Sequence, residues 1–348
     1  MRPWRLKGVV LPMAVILLAS LLTACWPLDA LLPVREPEVA PLRQGTFAPA
    51  ALPVLAPGES HQRVLWLLDH TERYIVPFVL SVPRDLGMAR AAVTRLIDSP
   101  ANQQSLLGTG LKLPLPSMTT VRGLTIRNGV ARVDFSEEFL GFSEARERLV
   151  VDAVVLTLTE FPNVESVHFM VGGKDLAVLP FGTDVSRPVR RSDRAINPEP
   201  LGTATGPTAT VLLYFTSVSP ENFIYFVPVT RTIPASANLP AAAIQELAAG
   251  PREGSGLWHD LPRGASLRNI RLSSLGIMEI DFTREIYSHG ASIAAETALL
   301  GAVVHTMSEL PGVEAVRITV EGRAPRFPAG SDLSLPIIRP AFVNPFAL

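Results

Sequence analysis

Histidine is the side chain best suited to moving a proton near neutral pH, and there are six: His61, His70, His168, His259, His289 and His305. A zinc hydrolase sets two of them four residues apart with a glutamate between, so that both ligands share one helix face. None of the six falls in that spacing. His305 and Glu309 do stand four apart in a helical stretch, but Leu156 occupies the place of His305 in the repeat described below, so His305 reads as a tolerated helix residue. His259-Asp260, beside Trp258, reads as a solvated loop with Lys112-Leu113 as its counterpart. Asp134 and Asp281 each sit between two apolar residues of a strand and are expected to accept backbone N–H bonds at the strand exit. Glu147 and Glu296, near helix starts, are expected to complement the helix dipole. Gly108-Thr109-Gly110 and Gly254-Ser255-Gly256 lack the third glycine of a dinucleotide fingerprint and the Gly-Lys-Ser/Thr ending of a P-loop, and they follow a helix, so they read as turns. No G-x-S-x-G nucleophile elbow occurs either. No residue is assigned a catalytic, cofactor-binding or metal-binding role, and the protein is expected not to be an enzyme.

Chemistry of another kind attaches to Cys25, the one cysteine of the chain. A single thiol gives no intrachain disulfide and no cysteine cage for zinc or an iron–sulfur cluster. Arg2, Arg5 and Lys7 precede an apolar stretch from Val9 to Leu22, the layout of an export signal. The stretch is shorter than the roughly 20 residues that cross a bilayer, and it contains Pro12. Leu22-Thr23-Ala24-Cys25 resembles a bacterial lipobox, which predicts cleavage before Cys25, a diacylglyceryl group on its sulfur, and a chain held on the extracytoplasmic face of the cell membrane. Two acyl chains, at about 0.8 kcal/mol per buried CH₂, anchor stably where one does not. Lys and Arg number 31 against 32 Asp and Glu, which leaves no basic excess for nucleic acid. With 47% hydrophobic and 18% charged residues, the chain is not a disordered polyelectrolyte.

The elements that would position these residues come twice. Val82-Pro83 returns as Ile233-Pro234, Val133-Asp134-Phe135-Ser136 as Ile280-Asp281-Phe282-Thr283, and Glu160-Phe161-Pro162-Asn163-Val164-Glu165 as Glu309-Leu310-Pro311-Gly312-Val313-Glu314. Both copies close on Pro, Gly, Asp, Ser and Pro: residues 180, 182, 184, 186 and 188, then 328, 330, 332, 334 and 336. A displacement near 150 residues makes each unit a domain rather than a solenoid module. In the first copy, strands are expected at Val64 to Leu68 and Tyr74 to Val82, then a helix from Leu86 to Asp98 stopped by Pro100. A hairpin follows about Asn128-Gly129, then a helix capped by Ser143, then a strand from Val164 to Val171. This ββαββαβ order predicts an α+β fold, each domain a mixed or antiparallel sheet with two packed helices. The organisation expected is a signal peptide over 1–24, a Pro-rich tether over 25–60, a first domain over 61–190, a linker over 191–207, a second domain over 208–340 and a tail over 341–348.

The paired V-D-F-S and I-D-F-T strands, and the helices ending in T-E-F-P-N-V and S-E-L-P-G-V, resemble the GerMN domain family. These domains are found twice in GerM-type lipoproteins of sporulation and spore germination. The resemblance implies an envelope protein acting by association, with a fold similar to ring-building modules of envelope channels and a protein partner in such a ring or channel. Two readings remain open: a lipid-anchored assembly scaffold, and a ligand-binding or wall-active lipoprotein using a groove between the domains.

Overall fold

The computed structural model describes residues 60–83, 87–200, 206–290 and 292–345. Cys25, the export signal and the tether up to residue 59 lie outside them.

Each copy opens with a long antiparallel hairpin, β1 (Ser60–Leu68) with β2 (Ile75–Pro83) and β8 (Thr208–Val218) with β9 (Ile224–Pro234). β-branched and aromatic residues fill these strands, and most are buried. A second sheet follows in each copy. In the first it is β3 (Val121–Arg127), β4 (Val130–Phe135) and β5 (Ser166–Val171), extended by β6 (Lys174–Asp175) and β7 (Val189–Arg190). In the second it is β10 (Leu267–Leu272), β11 (Ile277–Phe282), β12 (Ala315–Val320) and β13 (Ile337–Ile338). The central pairs β4–β5 and β11–β12 are parallel and therefore need a crossover. Helices α3 (Glu144–Leu158) and α5 (Ile293–Ser308) supply it. Both first strands carry a register shift at the same place, between Val121 and Gly123 and between Leu267 and Asn269.

The α+β class and the order of elements follow the sequence expectation, with one refinement. The strands of each copy do not join into one sheet, and the crossover helix packs between hairpin and sheet. From Val150 to Leu158 every residue of α3 is buried, and α5 is buried from Ala298 through Ser308, as an all-round apolar helix must be. On the hairpin side, Thr157 Oγ1 accepts from Trp66 N (2.9 Å), and its counterpart Thr306 Oγ1 accepts from Tyr214 N (3.0 Å).

Two local expectations are corrected. The first helix runs only from Met88 to Arg95 (α1), and Leu86 lies outside the described residues. Pro100 does not stop a helix: it opens a short one, α2 (Pro100–Gln104), with Ser99 accepting from Asn102 N. Proline's absent N–H costs nothing at that first helical position. The second copy has a single helix there, α4 (Leu239–Ala249), capped by Asn238.

Candidate functional site: the seam between the two copies

The outer edges of β2 and β9 face each other, and each carries a proline, Pro77 and Pro228, so neither can complete a ladder with the other. Two asparagine side chains fill the gap. Asn197 Oδ1 accepts from Ile75 N (2.8 Å), while its Nδ2 donates to Ile75 O and Pro228 O (both 2.7 Å). Asn344 repeats this with the strands exchanged: Oδ1 accepts from Phe226 N (2.8 Å), and Nδ2 donates to Phe226 O (2.8 Å) and Pro77 O (2.9 Å). Val79 N donates to Asn344 O, and Thr230 N to Ile196 O. Both asparagines are buried. Primary amides stand in for main-chain amides along both edges, in an arrangement two-fold in its bonds.

Asn197 belongs to the linker expected over 191–207 and Asn344 to the tail expected over 341–348. Where these segments are described they are structural. Arg194 forms an ion pair with buried Asp152, which Arg148 also contacts (3.3 Å). Glu199 holds both oxygens against the buried guanidinium of Arg231, which also bonds Glu246 Oε2 (3.0 Å) and Gly250 O (3.0 Å). The available signal was the repeated Ile196-Asn197-Pro198 and Val343-Asn344-Pro345.

The hairpin tips complete the seam. His70 Nδ1 lies 2.7 Å from Tyr225 Oη, and Tyr74 Oη donates to Ser255 O (3.0 Å). Burial raises the pKa of Tyr225 to about 12, so it stays a phenol. Gly110 meets the other tip at φ +68°, where a Cβ would fall 2.1 Å from Glu221 Oε2 and 2.7 Å from Ser219 Cβ. The glycine loops are turns, as expected, and they are also contact points between the copies.

The remaining candidates hold loops or fill the core. Asp134 Oδ1 accepts from Gly173 N (2.9 Å) and Asp281 Oδ1 from Gly322 N (2.8 Å), the role expected of them. Glu147 and Glu296 do more than face a helix dipole. Glu147 accepts from Phe181 N (2.6 Å) and Thr183 N (2.8 Å), and Glu296 from Ala329 N and Ser331 N (2.8 Å each). Desolvation works against both charges, but hydrogen bonds from the loops outweigh it and hold both carboxyls below the usual range. His305 is buried between Tyr214 and Phe226, with ring centroids at 5.3 and 5.0 Å, and desolvation lowers its pKa to about 3. Glu309 on the same face accepts from Tyr214 Oη (2.9 Å).

His259-Asp260 is not a solvated loop. His259 Nε2 lies 2.9 Å from Ala248 O, and the Asp260 carboxylate accepts from Thr216 N (2.9 Å) and Oγ1 (2.5 Å). Burial raises the Asp260 pKa to about 6 against the pull of those two bonds. The bridges Leu68 to Lys112 and Thr216 to Trp258 set Lys112 opposite Trp258, which makes Leu113-Pro114 the true counterpart of this pair. His168 Nε2 meets Asp175 (2.9 Å) on the first copy's sheet, and His289 Nε2 stands 3.6 Å from Glu296. Among the described residues, no three His, Cys, Asp or Glu side chains gather as metal ligands.

The family described as "Germane: Sporulation and spore germination" matches residues 64–177 and again residues 212–325. The chain belongs to this family. The spore germination protein GerM of Bacillus subtilis (strain 168) is 32% identical over 292 residues, covering 81% of this chain and 78% of that protein. The solved tandem GerMN domains of the sporulation protein GerM from Bacillus subtilis superpose with a TM-score of 0.70 at 30% identity, over 83% of this chain and 100% of that one. A structure of the first GerMN domain of GerM from Bacillus subtilis, 32% identical, covers 38% of this chain and 99% of its own, with a TM-score of 0.35. This Germane chain is a GerM-type sporulation or germination protein with tandem GerMN domains, as the repeat and the paired strands implied.

Proposed function

We propose that this Germane protein is a lipid-anchored scaffold on the extracytoplasmic face of the cell membrane, holding an envelope protein partner in a ring or channel rather than catalysing a reaction. One observation carries the reading. Among the acids that recur in both copies, Glu147 and Glu296 give both oxygens to backbone amides of their own domain, while Asp134 and Asp281 give one oxygen to such an amide and set the other against an arginine, Arg122 or Arg268. A catalytic carboxylate has to keep an oxygen free for substrate. The Leu22-Thr23-Ala24-Cys25 sequence supports the anchor.

Two measurements test this. Replacing Cys25→Ala is expected to abolish labelling by radioactive palmitate, leave the precursor uncleaved, and lower the yield of germinating spores as far as deletion does. Normal labelling of that variant would overturn the anchor. The mature protein is expected to release no soluble fragments from purified cell wall, and release of fragments would overturn the scaffold in favour of a wall-active enzyme.

A further inference from the structure

The seam is two-fold in its bonds but not in its flanking grooves. On one flank a cavity of about 590 Å³ opens between the β1–β2 tip, the connector between the copies and the glycine loop of the second copy. That volume lies within the range of small-molecule sites. Its walls include Arg73, Tyr74, Pro198, Pro200, Arg252 and Glu253. Arg73 Nη1 donates to Gly254 O (3.1 Å), and its guanidinium lies 5.6 Å from the Tyr74 ring centroid. Arg252 directs Nε at Glu199 (3.3 Å) and leaves 54% of its side chain exposed. Each guanidinium therefore keeps further donors for a ligand.

The matching positions on the other flank show what the architecture itself requires. Pairing of Leu68 with Ile75 and of Thr216 with Phe226 sets Tyr74 against Tyr225 and Arg73 against Ile224. Counting back from the matched Gly108 and Gly254, Leu106-Leu107 stands where Arg252-Glu253 does. The tyrosine recurs and the charges do not, so the fold has no need of two arginines here.

We propose that this groove binds a short peptide by its free C-terminal carboxylate, with Arg73 and Arg252 on the carboxylate and Glu253 on the terminal ammonium. A guanidinium fork matches a carboxylate in geometry. Tyr74, Pro198 and Pro200 offer an apolar wall to the peptide's side chains. Glu253 repels a phosphate dianion, whereas mixed charge suits a zwitterion. The inference is independent of the anchor and of the scaffold role.

The test is calorimetric titration of the mature chain in detergent with the tripeptide Ala-Ala-Ala. Saturable binding with Kd of about 0.1–1 mM is expected. Amidating the peptide C-terminus, or replacing Arg73→Gln or Arg252→Gln, is expected to weaken it at least about tenfold. Thermal midpoints of both variants report whether the fold is intact. Absence of saturation by the wild type, equal binding of the amidated peptide, or full binding by the Arg73→Gln, Arg252→Gln double variant would each overturn the proposal. A ten-residue peptide with the same C-terminus carries its ammonium away from Glu253: weakening of about tenfold supports a free short peptide, and equal or tighter binding would overturn it in favour of the tail of a protein.

Discussion

The two copies agree where main-chain groups must be satisfied and differ where a side chain has a choice. Thr157 and Thr306 take the same hairpin amide, Glu147 and Glu296 the same loop, and Asn197 and Asn344 the same strand edge. Against this, Arg231 of the second copy, buried with Glu199 and also paired with half-buried Glu246, stands where the first copy has Leu80. Buried Asp152 of the first copy, paired with Arg194 and with exposed Arg148, has Gly301 as its counterpart in the second. Main-chain demands are set by the fold and recur with it, because a buried amide without a partner costs about 1–3 kcal/mol wherever it occurs. Buried ion pairs are replaceable by apolar packing at little net cost, so each copy has settled that matter separately.

Arg231→Met offers the hardest break in this comparison. It leaves Glu199 buried without its bidentate partner, and a loss of about 3–5 kcal/mol is expected in denaturant unfolding. Replacing Glu199→Gln along with it should restore most of the loss. A small effect of the single variant would mean that water reaches this pair.

Asn197→Ala and Asn344→Ala sharpen the comparison, since they orphan matched main-chain groups. Each is expected to cost about 2–3 kcal/mol, with similar values for the two. The double variant should cost more or less than the sum, as both residues knit one seam. Widely different single values would show that the bonding symmetry has no energetic counterpart.

Asp260→Asn probes a carboxylate that only the second copy has. Its pKa is raised on folding to about 6, so the stability tied to its protonated form is complete below the unfolded value near 4 and is lost as pH rises through about 6. Wild type should therefore lose about 1–2 kcal/mol across that window, discounted for the part of the residue in solvent, while the variant should not. Parallel pH profiles from thermal melts decide the matter.

Periodicity and turn chemistry made the strands, the Asn128-Gly129 hairpin and the repeat legible, because these are local. Burial of Asn197 and Asn344 was not, since Asn-Pro reads as a turn wherever it stands and only contact with a distant strand makes its amide structural. Ser99-Pro100 carries the signal of a helix start, a capping serine before a proline, as well as that of a stop, and the cap prevails. Leu149 to Leu158, apolar on nearly every face, already described a helix enclosed on both sides rather than one lying on a sheet. The loop bonds of Glu147 and Glu296 depend on chain segments more than thirty residues away, beyond any local pattern.

Pro77 and Pro228 deny each hairpin a normal neighbour, and only the partner copy's geometry, through an asparagine from each, makes that tolerable. Duplication in this molecule therefore does more than double a binding surface. In a solitary copy the outward main-chain groups of Ile75 or Phe226 would turn to water instead, while the proline two residues on would still blunt that border against strand addition.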